Sequence, residues 1–295
     1  MNLLLQTPAA LLRRLTEKVT GPGENPLRSR TVLVTGASSG IGAAVAHLVA
    51  ERGGRVVLVA RRAEELELVR ASVAAHGNEV EAHVVDLTDA EATDAFVAEL
   101  LEKHGVVDYL VNNAGRSIRR SLEYSYDRMH DFERTMEINY FAPVRLVLGL
   151  LPAMREQRFG HVVNVVTWGV QMKAPKFSAY IASKTALDTF ARIAGRETYG
   201  DNVTFSNVRL PLVRTDMITA TDAYAKSRAM SVDEAARVVV RALEERPLTV
   251  SVPVAKVTEV VTLVAPRLTD AIAWASSRRF PDSAAARGEQ VTRPE

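Results

Sequence analysis

The chain has 295 residues, with 37 basic and 35 acidic side chains and no cysteine. This length can bury a substantial core and suits one α/β domain. The near balance of charge argues against nucleic acid as a partner. The lack of cysteine excludes disulfides, thiolate metal ligands and a cysteine nucleophile, and it is typical of the reducing cytoplasm, where we expect this protein to act. We expect no metal site.

The first 27 residues are predicted to be an extension ahead of the domain. A stripe of leucines predicts an amphipathic helix over residues 1–20, and GPGENP at 21–26 has the composition of a linker. Two arginines interrupt the apolar run that a signal peptide needs, and no stretch is long enough to span a bilayer. We place the catalytic domain at residues 28–254.

Strand-like runs alternate with helix-like segments along this domain. Near-continuous apolar strands joined by helical crossovers indicate a parallel sheet with helices on both faces. We therefore predict an α/β fold, a doubly wound parallel sheet of the Rossmann type with about seven strands. The runs are TVLVT (31–35), RVVLVA (55–60), VEAHVVD (80–86), DYLVN (108–112), HVVNVV (161–166), VTFSNVRL (203–210) and LTVSVPV (248–254), the last after a helix that a capping pattern starts near Ser231.

Residues 255–295 are predicted to be a second extension. Valines, and then Leu268, Ile272 and Trp274, predict two short amphipathic helices separated by Pro266. Such a tail packs on the protein's own core or on a neighbouring subunit more often than on a membrane. Peripheral membrane contact stays open as the minority alternative.

A glycine-rich turn joins the first strand to an alanine-rich helical segment. In TGASSGIG, Gly36 permits the tight turn, Gly40 lets backbone N–H groups approach a pyrophosphate, and Gly42 lets helix and strand pack closely. Because strand, turn and helix occur in this order at the start of the domain, the motif predicts a dinucleotide site rather than a purely structural turn.

The end of the second strand indicates which dinucleotide is bound. A site for NAD would place an acidic residue there, whereas this chain has Arg61 and Arg62. A guanidinium group can hold the 2′-phosphate through charge-assisted hydrogen bonds. We therefore predict NADP(H); the alternative is that both arginines only end the strand and meet solvent.

Two further segments end strands at the edge where open sheets bind ligands. Asp86 follows the third strand, and the sequence NNAG, residues 112–115, ends the fourth. Their positions suit contacts with adenine and the cofactor backbone. On spacing alone, either segment is equally consistent with an ordinary turn.

Tyr180 and Lys184 lie four residues apart, which places both side chains on one face of a helix. A nearby ammonium group favours tyrosinate, and this makes a tyrosine useful as an acid or base near neutral pH. The same spacing is common on helix surfaces. Its place after the fifth strand of a nucleotide-binding fold favours the chemical interpretation.

These motifs, together with Asn139, resemble the short-chain dehydrogenase/reductase family in the family's order over roughly residues 28–245. The resemblance implies that Tyr180 transfers a proton, that Lys184 lowers its pKa and binds the nicotinamide ribose, and that Asn139 holds a water of the proton relay. It also implies a homodimer or homotetramer. The positions expected to contact NADP(H) are Gly36, Ser38, Ser39, Gly40, Ile41, Gly42, Arg61, Arg62, Asp86, Leu87, Asn113, Ala114, Gly115, Tyr180, Lys184, Val213 and Thr215.

The chain departs from the family pattern at two places. The usual serine, thirteen positions before the tyrosine, is Thr167, whose hydroxyl can donate to a developing oxyanion but whose methyl group could crowd the substrate. We expect Thr167 to be catalytic. The usual proline-glycine step after the sixth strand reads Leu210-Pro211, which puts the local backbone in doubt.

Three long stretches, at 112–141, 169–188 and 211–218, are similar to the bacterial fatty acyl-CoA reductase branch. That similarity implies reduction of a long-chain acyl thioester to an aldehyde, with NADPH as hydride donor. We expect the segment 214–230 to close over this substrate. The basic group Arg116, Arg119 and Arg120 is predicted either to meet coenzyme A phosphates or, as the more common case, to form a solvated loop or subunit contact.

Three functions stay open from the sequence. The first is reduction of long-chain fatty acyl-CoA or fatty aldehyde, and the second is oxidoreduction of another ketone or alcohol. The third is a sensor that binds NADP(H) without turnover, which the threonine and the altered proline step would explain.

Overall fold

The computed structural model describes residues 25–215 and 229–287 of the chain. Seven parallel strands form one sheet in the order β3-β2-β1-β4-β5-β6-β7, which confirms the predicted doubly wound fold. The predicted helix at 1–20 lies outside the described residues. The strands are β1 (Thr31–Thr35), β2 (Arg55–Ala60), β3 (Val80–Val84), β4 (Tyr109–Asn112), β5 (Gly160–Thr167), β6 (Val203–Leu210) and β7 (Thr249–Ser251).

The seventh strand is shorter than predicted. It pairs with β6 over only three residues, and a helix begins at Pro253. Proline has no N–H to give to the sheet but suits the first turn of a helix. The valines of LTVSVPV therefore divide between a strand and the following helix.

Helices cover both faces of the sheet. One face packs against α1, α2 and α8, and the other packs against α3, α5 and α7. The apolar strands are buried on both sides, as the predicted parallel sheet requires. The helices are α1 (Gly40–Glu51), α2 (Ala63–Ala74), α3 (Ala90–His104), α4 (Met129–Met136), α5 (Ala142–Glu156), α6 (Gly169–Met172), α7 (Ser178–Glu197), α8 (Val232–Glu245), α9 (Pro253–Val264), α10 (Pro266–Ser277) and α11 (Ala284–Arg287).

Local signals in the sequence set several of these ends. Ser231 caps α8 in a reciprocal pair with Glu234, so the predicted capping pattern is confirmed. Pro266 separates α9 from α10, as predicted for the carboxyl-terminal extension. No helix in the described ranges is both long and apolar enough to cross a membrane.

The centre of the sheet carries a ladder of amide side chains. Asn112, Asn164 and Asn207 occupy matching register positions on β4, β5 and β6. The amide of Asn112 donates to Asn164 at 2.9 Å, and that of Asn164 donates to Asn207 at 3.2 Å. Asn207 in turn donates to the carbonyl of Asp188 on α7 at 2.9 Å. Because a shift of one residue would break every rung, the ladder fixes these strands beside α7.

Strand order reverses between β1 and β4, which lie side by side while their crossovers run to opposite faces. The carboxyl ends of the strands open into a crevice at such a switch point. The fold therefore places the ends of β1, β4 and β5, with the motifs that follow them, around one cleft.

Candidate active site

The turn after β1 has the backbone that its glycines predict. Gly36 and Gly40 adopt φ values of +63° and +56°, a region that residues with a Cβ rarely enter. A Cβ on Gly42 would lie 2.4 Å from the carbonyl oxygen of Gly36. Ser39 does not cap α1 with its side chain, and the first N–H groups of a helix have no partner within it. The turn therefore offers a site for an anion at the start of α1.

Thr35 ties this turn to the end of β4. Its hydroxyl accepts the N–H groups of Asn113 and Ala114, both at 3.0 Å, and donates to the carbonyl of Val111 at 3.1 Å. The amide of Asn113 returns a 2.9 Å bond to the carbonyl of Thr35. The two motifs are thus held together as one wall of the cleft.

The two arginines after β2 have different partners. Arg62 donates to Ser38 at 3.1 Å and Ser39 at 2.8 Å, so its guanidinium lies over the glycine turn. Arg61 lies 3.5 Å from the carboxylate of Asp86. Burial raises the pKa of Asp86, but hydrogen bonds from Thr88 and the charge of Arg61 outweigh it and hold that pKa below its usual value.

Tyr180 and Lys184 lie on α7, as predicted. Lys184 is 4% exposed, and its ammonium donates to the carbonyl of Val165 at 3.0 Å. Burial lowers the pKa of Lys184 from 10.5 to about 8. The lysine is therefore charged at neutral pH but poised to lose its proton in mildly alkaline solution.

Asn139 lies in a π-helical turn, Glu137–Phe141, between α4 and α5. Such turns are frequent at functional sites because the extra residue re-aims the chain. The amide of Asn139 donates to the carbonyl of Arg116 at 2.8 Å and to the hydroxyl of Ser183 at 3.0 Å, while its oxygen accepts the N–H of Arg116 at 2.9 Å. Sequence reasoning missed Ser183, whose place between the tyrosine and the lysine was the only available signal.

Thr167 ends β5 and faces the cleft. Its hydroxyl accepts the N–H of Gly169 at 3.1 Å, which leaves its own hydrogen available for another acceptor. A Cβ on Gly169 would lie 3.3 Å from the methyl carbon of Thr167 and 3.0 Å from Ile181. The missing side chain at Gly169 therefore makes room for the methyl group that distinguishes threonine from serine.

One cavity of about 680 Å³ joins these features. Of the residues predicted to contact the cofactor, Gly42 and Asp86 are not in its wall, and neither is the catalytic candidate Asn139. Gly42 instead lies against the backbone of Gly36, and Asn139 bonds to the backbone of Arg116. Both Gly36 and Arg116 line the cavity. The predicted residues that line the cavity are Gly36, Ser38, Ser39, Gly40, Ile41, Arg61, Arg62, Leu87, Asn113, Ala114, Gly115, Thr167, Tyr180, Lys184, Val213 and Thr215.

Part of the cavity wall is apolar. It includes Trp168, Met172, Phe177 and Leu212, and none of them was predicted from the sequence. Their sequence signal was weak because each falls outside a periodic segment. Apolar walls of this kind suit an aliphatic group.

The backbone after β6 is ordered despite the altered proline step. The N–H of Trp168 donates to the carbonyl of Leu210 at 2.9 Å. Met230 bonds to Leu212 and Arg214 and so joins the two ends of the predicted substrate segment. A Cβ on Gly40 would lie 3.5 Å from the methyl of Thr215, so Thr215 sits against the glycine turn. Residues 216–228 of the segment lie outside the described part.

The three clustered arginines have different surroundings. Arg116 and Arg119 line the cavity, and Arg119 also donates to the carbonyls of Phe280 and Pro281 at 2.6 and 2.9 Å. Arg120 is outside the cavity wall and lies 3.6 Å from the buried carboxylate of Asp131. Contact of this group with coenzyme A phosphates stays a prediction, for which Arg116 and Arg119 are the better placed.

No cluster of three or more histidine, aspartate or glutamate side chains that could hold a metal occurs in the described ranges. The cleft combines a dinucleotide turn, a tyrosine beside a buried ammonium group and a hydroxyl on β5. This arrangement can bind a nicotinamide cofactor and protonate a reacting oxygen.

Comparisons with known proteins agree with this geometry. The chain is 47% identical over 283 residues to an uncharacterized oxidoreductase of Mycobacterium tuberculosis, covering 95% of this chain and 83% of the relative. It is 41% identical over 264 residues to a fatty acyl-CoA reductase of Acinetobacter baylyi, covering 90% of each.

Solved structures of similar fold are also oxidoreductases of this kind. A short-chain dehydrogenase from Streptomyces avermitilis has a TM-score of 0.71 at 31% identity and covers 86% of this chain and 100% of its own. A metagenomic short-chain oxidoreductase in complex with NADP has a TM-score of 0.66 at 31% identity and covers 77% and 97%. The family model for short chain dehydrogenases matches residues 30–225. The chain therefore belongs to the short-chain dehydrogenase/reductase family of oxidoreductases.

Proposed function

We propose that this oxidoreductase reduces long-chain fatty acyl-CoA, or the fatty aldehyde, with NADPH. The observation that carries the proposal is one cavity whose wall combines the glycine turn, Tyr180 and Lys184 with several apolar side chains. A nicotinamide dinucleotide fits beside the glycine turn and an aliphatic chain fits against the apolar side chains.

The residues after β2 support NADP(H) as the cofactor. The two positions directly after β2 are basic rather than acidic, and Arg62, which also pairs with Glu65 at 3.1 Å, reaches across the turn to Ser38 and Ser39. These three side chains would hold the phosphate through charge-assisted hydrogen bonds. At Gly42 there is no room for a Cβ beside the carbonyl of Gly36, so the start of α1 stays close to the turn where the pyrophosphate would bind. When bound, NADPH supplies the hydride that reduces the carbonyl carbon.

The side chains around the reacting carbonyl have distinct roles. Tyr180 donates a proton to the oxygen, and the buried ammonium of Lys184 stabilises the tyrosinate that results. Thr167 donates its hydroxyl hydrogen to the same oxygen, because the bond from the N–H of Gly169 is accepted by the hydroxyl oxygen and does not use that hydrogen. Asn139 fixes the backbone of Arg116 and the hydroxyl of Ser183, and so positions the water expected beside Lys184.

For a thioester, the carbonyl carbon gains a hydride and its oxygen gains the proton of Tyr180, which gives a hemithioacetal. The tyrosinate then takes that proton back while the carbonyl re-forms and the carbon–sulfur bond breaks. The leaving thiolate takes a proton from water, so the products are the aldehyde, coenzyme A and the oxidised cofactor. Similarity to the fatty acyl-CoA reductase of Acinetobacter baylyi supports this substrate class, and so do the apolar side chains of Trp168, Met172 and Phe177 in the cavity wall. Cytoplasmic location and a homodimer or homotetramer belong to the same proposal.

The test is oxidation of NADPH, followed by its ultraviolet absorbance, with palmitoyl-CoA, hexadecanal and a short ketone. We expect turnover of the thioester that Tyr180→Phe abolishes and that Tyr199→Phe, at an exposed tyrosine on the surface, preserves. Turnover of the aldehyde alone would limit the enzyme to carbonyl reduction. Preference for the short ketone would overturn the substrate class, and NADPH binding without any turnover would favour the sensor.

A further inference from the structure

The carboxyl-terminal helices α9 and α10 present a wide apolar surface to solvent. Leu263 is 83% exposed and Val264 is 79% exposed. Isolated exposed apolar residues are normal, but a contiguous set of this size marks an interaction site. We call it the outer face, and its members are Val254, Val257, Val260, Val261, Leu263, Val264, Leu268, Ile272 and Trp274.

The opposite side of α9 is already docked on the domain. Ala255 is fully buried, and Gln171 of α6 donates to Glu259 at 2.7 Å while accepting from Ser251 at 2.6 Å. Arg209 also lies 3.8 Å from Glu259. Helix α9 is therefore attached to the domain through its inner side. Among residues 25–215 and 229–287, no part of the protein's own core covers the outer face.

We propose that the outer face binds the surface of a bilayer containing anionic lipid. Between Pro253 and Phe280 the chain has four basic and two acidic residues, and one of the acids, Glu259, is paired inward. The exposed charges beside the apolar residues include Arg267, Arg278 and Arg279 against Asp270. A basic, apolar face complements anionic headgroups over acyl chains.

A second copy of this chain suits the face less well. A two-fold contact would bring the same net positive surface against itself, with unfavourable repulsion. The guanidinium of Arg278 lies 5.1 Å from the ring centre of Trp274. Tryptophan and arginine together are typical of the membrane–water boundary, where one end of each side chain is apolar and the other is polar.

The lengths of the helices define how they would meet the bilayer. Each has 12 residues, and at a rise of about 1.5 Å per residue this spans about 18 Å, well short of the roughly 30 Å hydrocarbon core. The helices would therefore lie along the surface with their apolar side chains inserted.

Helix α9 also connects the outer face with the cavity wall. Its inner side packs against α6, and Gly169 and Met172 of α6 line the cavity. A bilayer at the outer face would therefore be separated from the cavity by α9 and α6. Membrane binding itself does not depend on which substrate is used.

Flotation of the purified full-length protein with vesicles tests the inference without substrate. We expect binding to vesicles of phosphatidylcholine with phosphatidylglycerol, weaker binding to phosphatidylcholine alone, and weakening by salt. Leu263→Asp and Ile272→Asp should each lower the partition by about tenfold or more, because each removes one inserted aliphatic side chain. Leu68→Asp, at a leucine on α2 whose 71% exposure lies between those of Leu263 and Ile272, is the matched control and should bind like the wild type.

The double change Arg278→Glu with Arg279→Glu should remove the preference for anionic vesicles. Failure of the wild type to float with either vesicle would overturn the inference. So would undiminished binding of the Leu263 and Ile272 variants, because another segment would then hold the membrane. If light scattering shows that these two variants break an oligomer while vesicle binding is unchanged, a second copy covers the face instead.

Discussion

Lys184 should weaken the cofactor-free fold, because a charged ammonium group is held away from water. Burial lowers its pKa from 10.5 to about 8. At about 1.4 kcal/mol per unit, this shift corresponds to about 3 kcal/mol. The hydrogen bond to Val165 contributes about 1 kcal/mol in the opposite direction. We therefore predict that Lys184→Met, with a side chain of similar length, is about 2 kcal/mol more stable than the wild type near neutral pH and is catalytically inactive.

The difference should depend on pH in a defined direction. Below about pH 8, Lys184 is charged in both the folded and unfolded chain, and the full burial cost is present. Between about pH 8 and 10.5, the folded lysine is neutral while the unfolded one still binds a proton, so wild-type stability rises relative to the variant. Above about pH 10.5, Lys184→Met should no longer have a larger free energy of unfolding than the wild type.

Urea unfolding of the cofactor-free proteins at about pH 7 and about pH 10 measures both effects. Lys103→Met is a control at a lysine whose side chain is 55% exposed; its ion pair with Glu81 should be worth less than about 1 kcal/mol. The reasoning is refuted if Lys184→Met is less stable than the wild type at neutral pH. It is equally refuted if the difference is the same at both pH values.

Four further changes test other parts of the site. Arg62→Ala should raise the KM for NADPH by about tenfold or more and leave that for NADH unchanged, as measured by steady-state kinetics with each cofactor. Gly42→Ala should weaken cofactor binding in a fluorescence titration, because its Cβ would meet a carbonyl oxygen at 2.4 Å. Asp282→Asn should speed amide hydrogen exchange in the segment after α10. The carboxylate of Asp282 accepts hydrogen bonds from the backbone N–H and the hydroxyl of Ser121, and it pairs with Lys176 at 2.9 Å. Gly169→Ala should lower kcat by crowding the methyl of Thr167, and adding Thr167→Ser should restore part of it.

Asp282 also predicts a response to acid. Burial raises its pKa, but hydrogen bonds from Lys176 and Ser121 outweigh burial and hold the pKa below its usual value. A carboxyl with a lowered pKa stabilises the fold above its unfolded pKa, near 4, and loses that contribution as pH falls through the folded value. The protection factors of the same segment, which correct for the intrinsic pH dependence of amide exchange, should therefore fall below about pH 4 in the wild type and change little in Asp282→Asn.

The parts of the fold that the sequence predicted are those encoded locally. The run VTFSNVRL matches β6 residue for residue, because apolar periodicity and flanking polar residues define a buried parallel strand. Gly36 and Gly40 could be assigned because only glycine readily adopts a positive φ. Tyr180 and Lys184 share a face because the period of a helix dictates it.

The parts that were missed depend on partners far along the chain. Arg119 and Arg120 looked like one basic cluster, yet Arg119 bonds to carbonyls about 160 residues away and Arg120 faces Asp131. Neighbouring residues in a loop can point to opposite sides, and no periodicity reveals this. The space that Gly169 leaves for the methyl of Thr167 was hidden for the same reason, since it depends on the packing of Ile181 from α7.

Helix α7 carries both the proposed acid, Tyr180, and Lys184, together with the contacts that hold them in place. Ser183 donates to the carbonyl of Tyr180 at 2.7 Å and accepts from Asn139, which attaches the start of the helix to the π-helical turn. Five residues later, Asp188 pairs with Arg209 of β6 at 2.8 Å. The spacing of the tyrosine and the ammonium group is therefore set by one helix that is fixed to the π-helical turn at one level and to the sheet at the next. If the proposed roles hold, residues elsewhere in the cavity wall can change the substrate without changing this spacing.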